Sequence, residues 1–208
     1  MSVLRDVLFR VCSYLTYRYK AVSAHGLHSP FLFDFYNEVI APNKEFYFFT
    51  RFRAVLPAYG QFISERDALF LYRWTAFYKP DSVRLMSVNF PASLALSIPT
   101  NLKILSVTSL KDYTDKEHHL LASEGVLIHE NIPTEMCFCE EISDSLMTSL
   151  SDYKCVIIYK PHQNKAKDAI WNELCSSKEL SISIDLFQFG ILLIDKNQAK
   201  QHFVVRMS

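Results

Sequence analysis

The feature that most constrains the fold is an alternation of short β-rich runs with helical runs that begins at Val83. The runs VRLMSV, LKILSVTS and KCVIIYKP have the apolar, β-branched composition of buried strands, and a segment with helical spacing follows each. Strands that alternate with helices form parallel sheets with helices on both faces. The pattern therefore predicts an α/β fold built on a mostly parallel sheet.

The end of the chain breaks this alternation. Three strand-like runs, LSISIDLF, GILLIDK and QHFVVRM, follow one another with no helix between them. Strands joined without a crossover pair antiparallel, so an antiparallel hairpin is expected to close the sheet. Upstream, one of the runs VLIHENI and MCFCEE supplies a strand. Counted this way, the fold is expected to lack one βα unit between residues 150 and 180.

The first 80 residues have helical patterns instead. A second helix is expected to begin at Pro30 with Ser29 as its N-cap, and a third covers residues 64–78 with Ser64 as its cap. We therefore expect an aromatic-rich helical extension over residues 1–80 and a Rossmann-like domain over residues 81–208.

The first helix is amphipathic. Over residues 2–20, an apolar stripe at helical spacing is formed by Leu4, Leu8, Val11 and Leu15. The favoured interpretation is a helix packed on the domain or on a second subunit. The alternative is an interfacial membrane helix, because basic residues flank the stripe.

A second apolar segment follows, with large side chains at Phe46, Tyr47, Phe48, Phe49 and Phe52. The favoured interpretation is that these aromatics fill the core beneath the first helices. The alternative is an assembly surface for a protein partner or for a homo-oligomer.

Charge and cysteine content exclude several classes. Lys+Arg 22 balances Asp+Glu 22, so we expect no nucleic acid partner. No apolar run reaches the roughly 20 residues that span a bilayer, so no membrane span is expected. Five cysteines, an odd number, without a signal peptide favour reduced thiols and a cytoplasmic location. Cys137 and Cys139 alternate along a strand without a second ligand pair, so no metal site is expected.

Two segments carry a resemblance to a known family. HGLHSPFLFDFYNEVI near the N-terminus and SISIDLFQFGILLIDKNQAKQHFVVRM at the end resemble a small bacterial branch of the class I S-adenosylmethionine-dependent methyltransferases. The resemblance implies a Rossmann-like methyltransferase fold. The middle of the chain fits that family in the order of its elements rather than in its residues.

The resemblance also assigns positions to the cofactor site. An acidic residue and two glycines of the family fall at Met86, Val88 and Ala92, and the carboxylate that holds the ribose falls at Thr108. A third acidic cluster, after the fourth strand, is replaced by Tyr159, Lys160, Pro161 and His162. Side chains at the glycine positions stand where a cofactor lies against backbone.

These departures predict a degenerate methyltransferase, a pseudoenzyme without catalytic residues and without bound S-adenosylmethionine, that acts by protein or small-ligand binding. The alternative is an active methyltransferase with a divergent pocket. In that case Ser87, Asn89 and Thr108 contact S-adenosylmethionine, and His162 or Lys160 faces the substrate.

The two segments that resemble the family contain the candidate retained polar site. Its members are His25, His28, Ser29, Asp185, Gln188, Gln201 and His202. A packing role for both segments, holding the N-terminal helices on the sheet edge, is the slightly favoured alternative.

Overall fold

The computed structural model describes residues 2–23, 29–41, 48–55, 63–87, 89–99, 102–195 and 199–207. The chain divides into two compact units. The continuous unit is His28–Glu135, and the split unit combines Met1–Leu27 with Met136–Ser208. The boundary expected between residues 80 and 81 stays a prediction.

The continuous unit contains five α-helices in its described part, and local signals mark several of their ends. They are α2 (Pro30–Phe35, continued by a π-helical turn over Tyr36–Ile40), α3 (Phe48–Val55), α4 (Glu65–Tyr78), α5 (Phe90–Ser97) and α6 (Asp115–Ser123). Ser64 caps α4, because its hydroxyl accepts the Asp67 N–H at 3.1 Å. Ser29 occupies the N-cap position of α2 without a side-chain hydrogen bond. Gly125 follows α6 at φ +82°, a conformation that suits glycine.

Three parallel strands complete the continuous unit. They are β1 (Ser82–Leu85), β2 (Ile104–Val107) and β3 (Leu127–Glu130), and β2 pairs with both of the others. Aromatic packing supports the helices, since the Phe35 and Trp74 rings meet edge-on at 5.4 Å. Phe52 is buried, as the core interpretation predicts for that residue. Phe46 and Tyr47 lie outside the described residues, as do the side chains of Phe48 and Phe49.

The split unit holds five strands and three α-helices in its described part. The strands are β4 (Met136–Cys139), β5 (Cys155–Tyr159), β6 (Ile182–Asp185), β7 (Phe189–Leu193) and β8 (Gln201–Val204), and the helices are α1 (Ser2–Lys20), α7 (Asp144–Thr148) and α8 (Lys165–Ser176). The strand order is β4-β5-β7-β6-β8. β4–β5 and β6–β8 are parallel, whereas β7 runs antiparallel to both β5 and β6. The expected antiparallel hairpin is therefore β6–β7, within a mostly parallel α/β architecture.

The strand count corrects the expectation of a missing βα unit. VLIHENI and MCFCEE both contain a strand, β3 and β4, and no helix lies between them in residues 131–135. That connection contains Pro133 and begins with Asn131 at φ +48°, so it cannot continue as a helix. Residues 150–180 contain β5 and α8, a complete unit. The fourth strand is thus followed by Glu140 and Glu141, and Tyr159 to His162 follow the fifth.

Helix α1 packs on the rest of the split unit, as one form of the favoured interpretation has it, but not through the predicted stripe. Its predicted stripe is exposed, with fractional exposures of 77% for Leu4, 64% for Leu8, 51% for Val11 and 63% for Leu15. A different face points inward, where Tyr17 is buried. The Tyr17 hydroxyl donates to the Val205 carbonyl at 2.6 Å and fixes this rotation of the helix. The stripe is therefore not packed on the described part of the chain.

Candidate functional site

A histidine held between two carboxylates is the most distinctive polar feature of the split unit. His162 Nδ1 lies 2.5 Å from Asp168 Oδ1, and His162 Nε2 lies 2.9 Å from Asp185 Oδ2. His162 follows β5, Asp168 is in the first turn of α8 and Asp185 ends β6. Three different elements thus build this group, which we call the His162 cluster.

The two carboxylates control the charge of the imidazole. Burial disfavours the charged form and lowers the pKa of His162, but hydrogen bonds to Asp185 and Asp168 and their negative charges outweigh it. The net direction of the His162 pKa is upward from its ordinary value. Both carboxylates have a second donor: Asp185 Oδ1 accepts the Phe187 N–H at 2.7 Å, and Asp168 Oδ2 accepts from Asn172 Nδ2 at 3.0 Å.

Backbone strain accompanies the His162 cluster. Phe187, in the turn between β6 and β7, has φ +65°, and Lys160 after β5 has φ +53°. Bulky residues rarely adopt this conformation, and such strained positions concentrate at ligand and catalytic sites. The strain places the Phe187 ring parallel to the His162 ring, with centroids 5.3 Å apart.

A cavity of about 430 Å³ lies beside the cluster. We call it the His162 cavity. Its polar wall comes from α1, α8, β6 and β8, through Ser13, Thr16, Lys20, Asp168, Asn172, Asp185 and His202. His202 Nδ1 lies 2.8 Å from the Ser183 hydroxyl, and burial lowers the pKa of His202. The cavity is within the range of roughly 300–1,000 Å³ that ligand pockets occupy.

The candidate retained polar site is only partly assembled at this cavity. Asp185 and His202 line it. Gln188 lies in the hairpin turn with Nε2 3.5 Å from the Tyr159 hydroxyl, and Gln201 is exposed on β8. Ser29 belongs to the continuous unit. His25 and His28 lie outside the described residues.

Two members of the site were missed or underrated from sequence. Asp168 has no local signal, since it reads as an ordinary acidic residue in the first turn of a helix. From sequence, His162 enters only as a substrate-facing residue of an active enzyme, and in the structure it is largely buried at the wall of the His162 cavity.

The positions that the resemblance assigns to the cofactor are in the continuous unit, and two of them line a smaller cavity of about 140 Å³. We call it the β1–β2 cavity. Met86, Ser87 and Thr108 line it together with Asp112 and Tyr113. Thr108 directly follows β2, as the sequence indicated, and Ala92 is fully buried in the first turn of α5. Val88 lies outside the described residues.

Side chains satisfy the backbone groups at the turn before α5. The Asn89 side chain accepts the Ala92 N–H at 2.9 Å, and the Ser93 hydroxyl donates to the Asn89 carbonyl at 3.0 Å. Ser87 Oγ differs, because it is buried with no hydrogen-bond partner in the described part of the chain. The exposed Asp112 is the one acidic residue among those that line this cavity.

A buried lysine faces the acidic residues that follow β4. Lys167 Nζ donates to the Glu140 carbonyl at 2.7 Å and lies 2.9 Å from the Glu141 carboxylate. Among the residues that the structure describes, no group of three or more His, Cys, Asp or Glu side chains is arranged to hold a metal ion. No helix in the described ranges is long and apolar enough to cross a bilayer.

Comparisons with known proteins identify the fold. No protein family model matches the chain, and no curated protein matches it. Solved structures do match: a methyltransferase from Geobacter sulfurreducens has a TM-score of 0.54 at 9% identity, over 76% of this chain and 92% of that chain. An O-methyltransferase from Bacillus cereus in complex with SAH has a TM-score of 0.52 at 8% identity, over 78% and 96%. The O-methyltransferase TomG from Streptomyces achromogenes, involved in tomaymycin synthesis and in complex with SAM, has a TM-score of 0.50 at 11% identity, over 77% and 93%.

Proposed function

Because this chain has the class I methyltransferase fold, we propose that it is a methyltransferase-like protein that has lost S-adenosylmethionine binding and catalysis. In this proposal it acts by binding a small polar ligand in the His162 cavity. The observation that carries the proposal is the contrast in size between the two cavities, about 430 Å³ in the split unit and about 140 Å³ at the family's cofactor positions.

The residues at the β1–β2 cavity do not fit the cofactor. A pocket for a ligand that joins an adenosine to a methionine needs at least the roughly 300 Å³ of common small-molecule sites. Thr108 offers a hydroxyl where a carboxylate accepts both ribose hydroxyls, and a neutral acceptor gives hydrogen bonds about half as strong. Asn89 and Ser93 already use their side chains within the turn and within α5.

The His162 cavity supports ligand binding through groups with hydrogen-bonding capacity to spare. Lys20 is exposed at its rim, and His202 uses one ring nitrogen on Ser183. The carboxylates of the His162 cluster are already paired, so they shape the wall while Lys20 and His202 contact the ligand. The strained Phe187 beside the cluster also favours a binding role for this region.

Thermal unfolding with and without S-adenosylmethionine tests the first half of the proposal. A ligand at about 100 times its Kd stabilises the native state by about 2.7 kcal/mol. We expect no shift in Tm with S-adenosylmethionine or S-adenosylhomocysteine at millimolar concentration. The Bacillus cereus O-methyltransferase serves as the positive control, since its structure is described as a complex with SAH. A shift at low micromolar cofactor would refute the loss of binding.

A panel of small polar metabolites tests the second half. We expect at least one to raise Tm, and the shift to disappear in Lys20→Ala and His202→Ala. Lys111→Ala, an exposed lysine of the continuous unit, is the matched control and should keep the shift. A shift that persists in Lys20→Ala and His202→Ala would place the ligand elsewhere.

A second candidate is an active methyltransferase with a divergent pocket. It is favoured by the unpartnered Ser87 Oγ and by the Asp112 carboxylate at the β1–β2 cavity. In that case S-adenosylmethionine stabilises the wild type, and Ser87→Ala and Asp112→Asn reduce the stabilisation. The absence of any cofactor effect in the wild type would eliminate this candidate.

A further inference from the structure

Helix α1 concentrates the exposed apolar surface of the described chain. In the described residues, nine large hydrophobic side chains are exposed. Seven of these nine are on α1: Leu4, Val7, Leu8, Val11, Tyr14, Leu15 and Tyr19. The other two, Phe33 and Leu127, lie singly on the continuous unit. Scattered exposed hydrophobic residues are normal, whereas a contiguous patch marks an interaction surface.

The apolar stripe cannot turn inward, because the opposite face of α1 is already held. Tyr17 is buried and its hydroxyl donates to the Val205 carbonyl at 2.6 Å. Just beyond the helix, the Val22 N–H donates to the Val204 carbonyl at 2.9 Å, and the Arg206 N–H donates to the Val22 carbonyl at 2.9 Å. These bonds fix the rotation of α1, so the stripe requires a partner from outside the described chain.

The charge of α1 indicates what that partner is. Arg5, Arg10 and Arg18 are exposed outside the His162 cavity, and Asp6 is the one acidic residue of the helix. Lys20, the fourth cation, is exposed at the rim of that cavity. Within the described residues, none of these four cations is paired with a carboxylate. The chain as a whole has a formal net charge of zero, so this helix carries a local excess of positive charge.

The position of these groups suits a flat anionic surface. At about 100° per residue, Leu4, Leu8, Val11 and Leu15 fall within an arc of about 60°, and Arg5 and Arg18 flank it on opposite sides. Tyr19 lies at the edge of the stripe, and tyrosine rings favour the headgroup region of a bilayer. Such a helix lies in the interface with its apolar side inserted and its cations on the headgroups.

A second copy of the chain is a less suitable partner for the α1 stripe than an anionic membrane. Pairing two α1 helices along the stripe brings two positive surfaces together, and each helix contributes only Asp6 to offset them. An anionic lipid surface accepts both the stripe and the cations. We propose that α1 docks this protein on anionic membranes, with Leu8 and Leu15 as central anchors. The proposal is independent of the ligand assigned to the His162 cavity.

Co-sedimentation with vesicles tests the docking. We expect at least about tenfold more bound protein on phosphatidylcholine vesicles with about 30% phosphatidylglycerol than on phosphatidylcholine alone, and a loss of the difference at high salt. The double variant Leu8→Ser, Leu15→Ser should lose binding to both vesicles. Arg5→Gln with Arg18→Gln should lose mainly the preference for the anionic vesicles.

Matched controls keep the result interpretable. Phe33→Ser and Leu127→Ser remove exposed apolar side chains outside α1 and should bind like the wild type. Every substituted side chain is exposed, so each variant is expected to fold. Circular dichroism and Tm check that it does. Equal binding to neutral and anionic vesicles, or no binding to either, would overturn the proposal. So would a dimer in light scattering that the Leu8→Ser, Leu15→Ser variant converts to a monomer.

Discussion

At the residue scale, the two hydrogen bonds of the His162 cluster depend on whether the imidazole of His162 is protonated at both ring nitrogens. An ionised carboxylate only accepts hydrogen bonds, and an imidazole donates from both nitrogens only when it is protonated. His162 has a carboxylate oxygen at each ring nitrogen, 2.5 Å away on one side and 2.9 Å on the other. The geometry therefore suits the imidazolium form, which agrees with the raised pKa of His162.

This protonation makes stability depend on pH. The unfolded pKa of histidine is about 6.5 and the folded pKa of His162 is higher, so its contribution is complete below about pH 6.5. We expect that contribution to the free energy of unfolding to fall as pH rises through the folded pKa. Urea unfolding of the wild type and of His162→Gln, from below about pH 6.5 to above the folded pKa of His162, measures this contribution. It is the difference between their free energies of unfolding at each pH. Burial lowers the pKa of His202, so the effect of His202 on stability has the opposite pH dependence. Both proteins contain His202, so its effect cancels in the difference.

The two carboxylates are expected to differ in importance. The Asp185 side chain is 9% exposed and that of Asp168 is 25% exposed. Removing one charge of a buried pair costs about 3–5 kcal/mol, and partial exposure reduces this cost. We expect Asp185→Asn to lower the free energy of unfolding by more than Asp168→Asn does. Equal losses in urea unfolding would contradict the assignment of Asp185 as the more important partner.

At the scale of elements, the close packing of β7 on α8 requires a glycine at position 190. A Cβ atom added at Gly190 would lie 2.5 Å from the Trp171 ring, closer than any real contact. Trp171 is buried, and its ring also meets His162 edge-on with centroids 6.5 Å apart. The position of Trp171 therefore links strand packing to the His162 cluster.

Gly190→Ala should destabilise the protein by about 1–3 kcal/mol, the usual cost of overpacking a core. The companion variant Trp171→Leu creates space but removes aromatic packing, and the double variant should recover part of the Gly190→Ala loss. A double-mutant cycle from thermal unfolding measures the recovery. Strictly additive losses would show that the two positions do not interact.

Local signals predicted much of this architecture, and long-range contacts explain the rest. Ser64 and Gly125 mark helix ends through hydrogen bonding and backbone conformation that act within a few residues. VLIHENI and MCFCEE suggest one strand rather than two, because no helical pattern separates them and the alternation of strands and helices is lost there. The His162 cluster had no sequence signal, because its carboxylates lie six and 23 residues away and meet His162 only in the folded chain.

At the scale of the whole molecule, the two ends of the chain are bound to each other. The Tyr17 hydroxyl donates to the Val205 carbonyl at 2.6 Å and accepts the Met207 N–H at 3.2 Å. Val22 pairs with Val205 in an isolated parallel bridge. Helix α1 therefore depends on the last strand for its position.

Tyr17→Phe should loosen this connection at a cost of about 1–3 kcal/mol, since it leaves buried partners unsatisfied. We expect faster hydrogen exchange at Val22, Val205 and Arg206 than in the wild type. Tyr14→Phe, at a ring 43% exposed, is the control and should leave exchange at these amides unchanged. Unchanged exchange in Tyr17→Phe would mean that the backbone bridge alone holds the helix.

The division of the chain into a continuous and a split unit has a consequence for biosynthesis. His28–Glu135 is one uninterrupted stretch, so all of it has been translated before the strands β6, β7 and β8 of the split unit. Helix α1 emerges earlier, yet its inner face stays uncovered until β8 has been translated, more than 170 residues later. During that interval both of its apolar faces are open to chaperones or to a membrane. Helix α1 therefore reaches its native contacts only after β8 has been made.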